Sequence, residues 1–158
     1  LVEETFEKSE NELKDGMDIS LLKISHPINY NENSDNKISV QWSGANNPLW
    51  IIKKDSQTID EIKADKQPVG KYTDRKNFTE HNLVLEKGDR LYLFTDGYAD
   101  QFGGPKGKKF KYKQLEDLLI SSSKSSLDQQ KIALENAFFG WKGNLEQVDD
   151  VCLICINL

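Results

Sequence analysis

The chain has 158 residues, with 21 basic against 26 acidic side chains, a formal net charge of −5 and 37% hydrophobic residues. That length supports one domain with a substantial core, and the acidic balance argues against general nucleic-acid binding, which needs a basic face. No run approaches the roughly 18 apolar residues of a membrane span, and no signal-peptide pattern is present.

The opening stretch, Leu1 to Lys14, reads as a surface helix with a thin apolar stripe of Val2, Phe6 and Leu13, ended by Asp15-Gly16. It begins without a methionine and as if inside a helix, so the sequence is expected to be a single domain cut from a longer protein and truncated at its N-terminus. Met17 to Ser25 reads as a strand and Pro27 to Lys37 as a polar loop. Ile38, Val40 and Trp42 alternate with polar residues, which predicts a strand with one buried face. Ser43 to Pro48 is then expected to turn the chain into a hairpin with Leu49-Trp50-Ile51-Ile52. A short strand is expected within Thr58 to Ala64, and a loop over Asp65 to Asn77. Phe78 to Leu85 is expected to pair with Leu91 to Phe94 through the turn at Gly88-Asp89.

Lys106, Lys108, Lys109, Lys111 and Lys113 crowd a short segment after Gly103-Gly104-Pro105. Tyr112 to Ser121 reads as a helix with Leu115, Leu118 and Leu119 on one face. A serine-rich link leads to a second helix from Leu127-Asp128 to Trp141, broken by Gly143-Asn144. Residues 147–157 supply a closing strand carrying both cysteines, Cys152 and Cys155. Their spacing points them to opposite strand faces, so they are expected to be buried, unpaired thiols in a reducing cytoplasm. No second pair exists for zinc. Helix, hairpin strands, two helices and a last strand make an α+β pattern built on antiparallel sheet.

Two acidic sites stand out. Leu91 to Phe94 is an uncharged run long enough for a strand buried on both faces, and Thr95-Asp96-Gly97 follows at once. A carboxylate at the end of a rigid strand is well placed for chemistry, although Asp-Gly after a strand is also a common hairpin turn. The second site is Gln147-Val148-Asp149-Asp150, directly before the last apolar run. Antiparallel neighbours could bring Asp96 beside Asp149, and clustered carboxylates repel unless a cation lies between them.

Together these segments carry a family resemblance. Residues 16–157 resemble the C-terminal part of the metal-dependent protein phosphatase 2C superfamily, in particular its bacterial branch typified by stage II sporulation protein E. The motifs are GMDISLL at 16–22, WSGANNPLWII at 42–52, PVG at 68–70, GDRLYLFTDGYADQFGG at 88–104, GKKF at 107–110 and QVDDVCLICI at 147–156. The resemblance implies a sandwich of two antiparallel β-sheets flanked by helices. It implies a serine/threonine phosphatase domain using Mn2+ or Mg2+, in which Asp96 and Asp149 are metal ligands. Asp150 would be either the ligand in place of Asp149 or a support beside it, Asp100 and Gly97 would be further supports, and Asn46, Lys108 and Lys109 would be within reach of substrate. Hard cations of this kind take carboxylate and water oxygens, and such ions can clamp a phosphoryl group and acidify the attacking water, so no side-chain nucleophile is needed. The family's N-terminal part supplies further ligands, an acid after a Ser-Gly turn and an aspartate in an Asp-x-x-Gly-His-Gly run, and this sequence contains neither.

The implied partners are a phosphorylated regulatory protein as substrate and an N-terminal sensory domain in the parent chain, with no nucleic acid and no membrane span. A regulatory pseudophosphatase and a plain structural module are the other functional classes. Plainer roles are also expected for several residues: turn or solvent groups for Asp89 and Asp100, a solvated loop or salt-sensitive docking patch for the lysines, core for Trp42, Trp50 and Trp141, and surface for His26 and His81.

Overall fold

The computed structural model describes residues 16–25, 37–70 and 76–158. The helix expected over residues 1–14, most of the loop expected at 27–37, and His26 lie outside them. The elements in chain order are β1 (Gly16–Met17), β2 (Ile19–Ser25), β3 (Lys37–Ala45), β4 (Leu49–Ile52), β5 (Asp60–Ile62), β6 (Val69–Gly70), β7 (His81–Glu86) and β8 (Arg90–Phe94). They continue with α1 (Gly97–Asp100), β9 (Phe102–Gly103), β10 (Lys108–Lys109), α2 (Tyr112–Ser122), α3 (Leu127–Lys142) and β11 (Leu153–Asn157). This is an α+β fold built on antiparallel pairing, as the order of sequence patterns implied.

The described residues divide into two compact units, one drawn from residues 16–25, 37–49, 61–70, 76–87 and 158 and the other from residues 50–60 and 88–157. In the first, β2, β3 and β7 form a sheet in that order, and β1 pairs with β6. The alternation in β3 is realised: Ile38, Val40 and Trp42 are buried. The Trp42 indole N–H donates to Ser20 Oγ at 2.7 Å. His81, expected at the surface, is half-buried, with its ring 5.4 Å from that of Trp42.

The second sheet has the order β11-β8-β4-β5. Both expected hairpins are therefore incorrect. β3 pairs with β2 and β7, whereas β4 pairs with β8, through Trp50 opposite Tyr92. The physical reason lies in the patterns themselves. β4 and the Leu91–Phe94 part of β8 are uninterrupted apolar runs buried on both faces, and such strands share a ladder. β3 and β7 have alternating patterns and pair with each other, Ile38 facing Leu85 and Val40 facing Leu83. The turns at 46–48 and 87–88 thus move the chain between sheets.

Helices α2 and α3 cover one face of the second sheet. Trp50, Tyr92, Phe94, Tyr98, Phe110, Leu115, Leu119, Leu134 and Phe138 pack into one buried cluster. A capping box starts α3, with the Ser126 hydroxyl accepting from the Gln129 N–H and the Gln129 side chain accepting from the Ser126 N–H. Trp50 is core as expected, but Trp141 is only partly buried. β11 is shorter than expected and sits at the sheet's edge, so Cys152 is exposed and Cys155 half-buried rather than both being sealed in the core. Both are free thiols.

Asp89 corrects another expectation. It is not a solvent group but only 2% exposed. Its carboxylate accepts the Lys54 backbone N–H at 2.8 Å and the Lys53 ammonium at 3.1 Å. Asp89→Ala leaves those donors without their acceptor and is expected to lower the unfolding free energy by about 3 kcal/mol, measured by urea denaturation.

Burial also shapes the response to alkali. Tyr92 is fully buried, with its hydroxyl against Gln130, and burial is the main cause of its pKa rising to about 12. An unfolded tyrosine ionises near pH 10. Between pH 10 and 12 the unfolded chain therefore loses this proton first, and stability is expected to fall across that window by roughly 3 kcal/mol, after being fully present below it. Denaturation midpoints recorded from pH 8 to 12 check this, with Tyr92→Phe removing much of the drop.

Candidate metal centre

The buried β8 strand ends at Phe94, and its last hydrogen bonds are made by Thr95. The Thr95 N–H donates to the Cys152 carbonyl at 3.0 Å. The Thr95 hydroxyl accepts from the Cys152 N–H at 2.9 Å and donates to the Asp150 carbonyl at 2.8 Å. One threonine thus extends the β8–β11 ladder by a side chain, beyond the register that ends with Leu153 opposite Phe94.

Asp96 comes next, and it is not the hinge of a hairpin. It is the N-cap of the single helical turn α1, with φ −70° and ψ −18°, and its carboxylate makes no cap hydrogen bond. The group is exposed and, among the described residues, has no ion-pair or hydrogen-bond partner. Gly97 is buried against the other acidic segment. A Cβ built on it would lie 2.4 Å from the Asp150 carbonyl oxygen and 3.3 Å from the Asp149 carbonyl carbon. Only glycine admits that approach. The Asp96-Gly97 and Asp149-Asp150 backbones are therefore in contact, in one unit, at one end of the sheet.

The 144–152 segment is irregular, so Asp149 and Asp150 sit in an extended lead-in rather than on the strand itself. Buried Gln101 fixes it. Its amide N–H donates to the carbonyls of Phe102 and Glu146 at 3.0 and 2.9 Å, and its amide oxygen accepts the Val148 N–H at 3.3 Å. Gln147 donates to the Asp149 carbonyl at 2.8 Å, and the Asp149 carboxylate accepts the Asp150 N–H at 2.7 Å. Asp149 and Asp150 are both exposed.

Around this rim, the Asp100 N–H donates to the Asp96 carbonyl at 2.9 Å, and the Asp100 carboxylate pairs with Lys109 at 2.8 Å. Lys109 also lies over the Phe102 ring, 5.9 Å from its centroid. Asp100 is therefore an ion-paired group rather than a plain turn residue. Lys108 neighbours Lys109 on β10, exposed to solvent. Asn46 belongs to the other unit. It adopts a left-handed φ of 64°, as its turn reading requires, and its amide donates to Asp18 at 2.6 Å.

The donors fit a hard divalent cation in kind. Asp96 and Asp149 offer carboxylate oxygens on adjoining exposed segments, and magnesium or manganese completes such sets with water. They do not complete a protein cage: among the described residues, no three His, Cys, Asp or Glu side chains converge as ligands.

Thr95 and Gln101 were not singled out by sequence reading, yet they hold the two acidic segments together. Thr95→Val keeps the shape but leaves the Cys152 N–H without its acceptor. It is expected to cost about 1–3 kcal/mol in stability and to speed hydrogen exchange at the Cys152 amide.

Comparisons with known proteins bear on the family and the fold. The model of the stage II sporulation protein E family matches residues 30–158. The SiaA-PP2C domain of Pseudomonas aeruginosa superposes with a TM-score of 0.68 at 24% identity, covering 76% of this chain and 46% of that one. The phosphatase domain of the cell fate determinant SpoIIE from Bacillus subtilis gives a TM-score of 0.55 at 12% identity, covering 90% of this chain and 57% of that one. Its manganese-presoaked form gives 0.56 at 12% identity, with 96% and 60% covered. The chain thus spans about half the length of the structures it resembles. No curated protein matches it by sequence.

Proposed function

The chain belongs to the stage II sporulation protein E family, and on that premise we propose that it is part of a metal-dependent phosphatase domain acting on phosphoserine or phosphothreonine in a regulatory protein. The observation that supports this reading is the close approach of Gly97 to the Asp149-Asp150 backbone, which joins the segments that carry the exposed Asp96 and Asp149. Asp96 and Asp149 would hold Mn2+ or Mg2+ there. Such an ion supplies charge neutralisation at phosphorus and a water of lowered pKa.

The side chains of this chain do the rest. The β8 ladder and the Thr95 hydroxyl fix the spacing of the two acidic segments. Asp100 holds Lys109 near the same helical turn, and Lys109 or Lys108 can pair with a phosphate oxygen arriving with the substrate. Asp150 and Gly97 act through backbone position. The expected setting is the output module of a bacterial sensor protein, in the cytoplasm, with a sensory domain N-terminal to it. Among the described residues, no helix is long and apolar enough to cross a membrane.

The test is phosphate release from a phosphoserine protein substrate by the intact protein, with and without manganese. Release that requires manganese supports the reading, and none under either condition rejects it. The limited ligand set favours one other reading, a regulatory domain that binds a partner through the same fold without hydrolysis. Retained binding of a phosphorylated protein with no turnover would select it.

A further inference from the structure

A basic cleft lies at the opposite end of β8 from Asp96. The register places Arg90 opposite Asn157 at that end and Phe94 opposite Leu153 at the other. Asp96 lies six residue steps after Arg90, about 20 Å at the rise of an extended chain. The cleft has a volume of about 280 Å³ and is lined by Lys53, Lys54, Arg90 and Lys124, together with Ser56, Ser123, Asn157 and the acid Asp55. Four cations thus line the cleft against two acids, Asp55 in its lining and Asp89 paired to Lys53, in a chain whose net charge is −5.

Two of the cations are fixed. Lys53 is held by buried Asp89 at 3.1 Å. The Arg90 guanidinium donates to the Ser125 carbonyl at 2.6 Å and to Gln130 Oε1 at 3.2 Å, so among the described residues it is positioned by neutral acceptors. The other two are exposed, and among the described residues neither Lys54 nor Lys124 has an acidic partner. Gly88, at φ +98°, lets the Lys54 stem lie close above the turn, where a Cβ would be 3.1 Å from Lys54 Cδ. Cations gathered in excess of their nearby acids raise one another's energy, and an anion between them lowers that cost.

We propose that this cleft binds a small, multiply charged phosphate-type anion. Its size suits a pyrophosphate or a small phosphorylated molecule, at the lower limit of ordinary ligand sites. The lining has no aromatic ring on which a base could stack, so recognition is by charge and by amide and hydroxyl donors. The site is independent of the metal rim.

Thermal unfolding of the intact protein, in EDTA so that no cation bridges the ligand, tests the proposal. Pyrophosphate, inorganic phosphate and chloride are compared at equal ionic strength. Pyrophosphate is expected to raise the midpoint in proportion to the logarithm of its concentration, and chloride to leave it unchanged. Inorganic phosphate matching pyrophosphate would assign a single-phosphate ligand, and a weaker effect a diphosphate one. The double variant Lys54→Gln, Lys124→Gln is expected to bind at least tenfold more weakly, whereas Asp96→Asn retains the full shift. No shift in the wild type, or an undiminished shift in the lysine double variant, overturns the proposal. Neither result bears on the phosphatase reading, because no turnover is measured.

Discussion

Replacing Asp96 with asparagine is expected to lower manganese-dependent phosphate release by the intact protein about 100-fold or more, roughly 3 kcal/mol in the barrier. The variant keeps the shape of the side chain, and asparagine serves as a helix N-cap as well as aspartate does. It gives up only the negative charge, which no described partner uses in folding. The thermal midpoint is therefore expected to stay within a degree or two of the wild type. Loss of activity with an unchanged midpoint assigns the carboxylate to the chemistry. Equal loss of both would instead make Asp96 a structural residue of α1.

The next largest effect is expected from Gly97→Ala. An added Cβ would collide with the Asp150 carbonyl oxygen, which is backbone and cannot rotate away. Either α1 or the 149–150 segment must shift, and Thr95 and Gln101 resist the second movement through their hydrogen bonds. The expected cost is about 2–4 kcal/mol of stability, in the range of overpacked core sites. Activity should fall by more than stability explains, because the shift separates Asp96 from Asp149. Assays well below the unfolding transition, beside urea denaturation of the same variant, separate the two losses.

Several elements could be read directly from the residues. Helices α2 and α3 followed their periodicity almost to the residue, and the alternation of Ile38, Val40 and Trp42 identified the buried face of β3. Strand partners were a different matter. Hairpin reasoning assigns neighbours in sequence as neighbours in space, but Leu49–Ile52 and Leu91–Phe94 each avoid the strand before them and pair with one another. Their patterns held that information, since continuous apolar runs belong together inside a sheet, whereas turn residues at 46–48 and 88–89 do not reveal which sheet follows.

The candidate site was legible in its acids and not in its scaffold. Asp96 and Asp149 were named from position and resemblance, and the backbone contact through Gly97 joins their segments. Thr95 and Gln101 carry no such mark. A threonine after a strand and a glutamine before a phenylalanine are ordinary in sequence, and their roles come from partners about 45 to 57 residues away. Asp89 shows the converse, a turn-like residue that long-range packing turns into a buried anchor for Lys53.

The most direct measurement is manganese binding followed by electron paramagnetic resonance on the intact protein and on Asp96→Asn, Asp149→Asn and the double variant. If the two carboxylates grip one ion, each single variant loses at least tenfold in affinity, and the double loses less than the product of the two. Wild-type affinity in either single variant would contradict a shared ion.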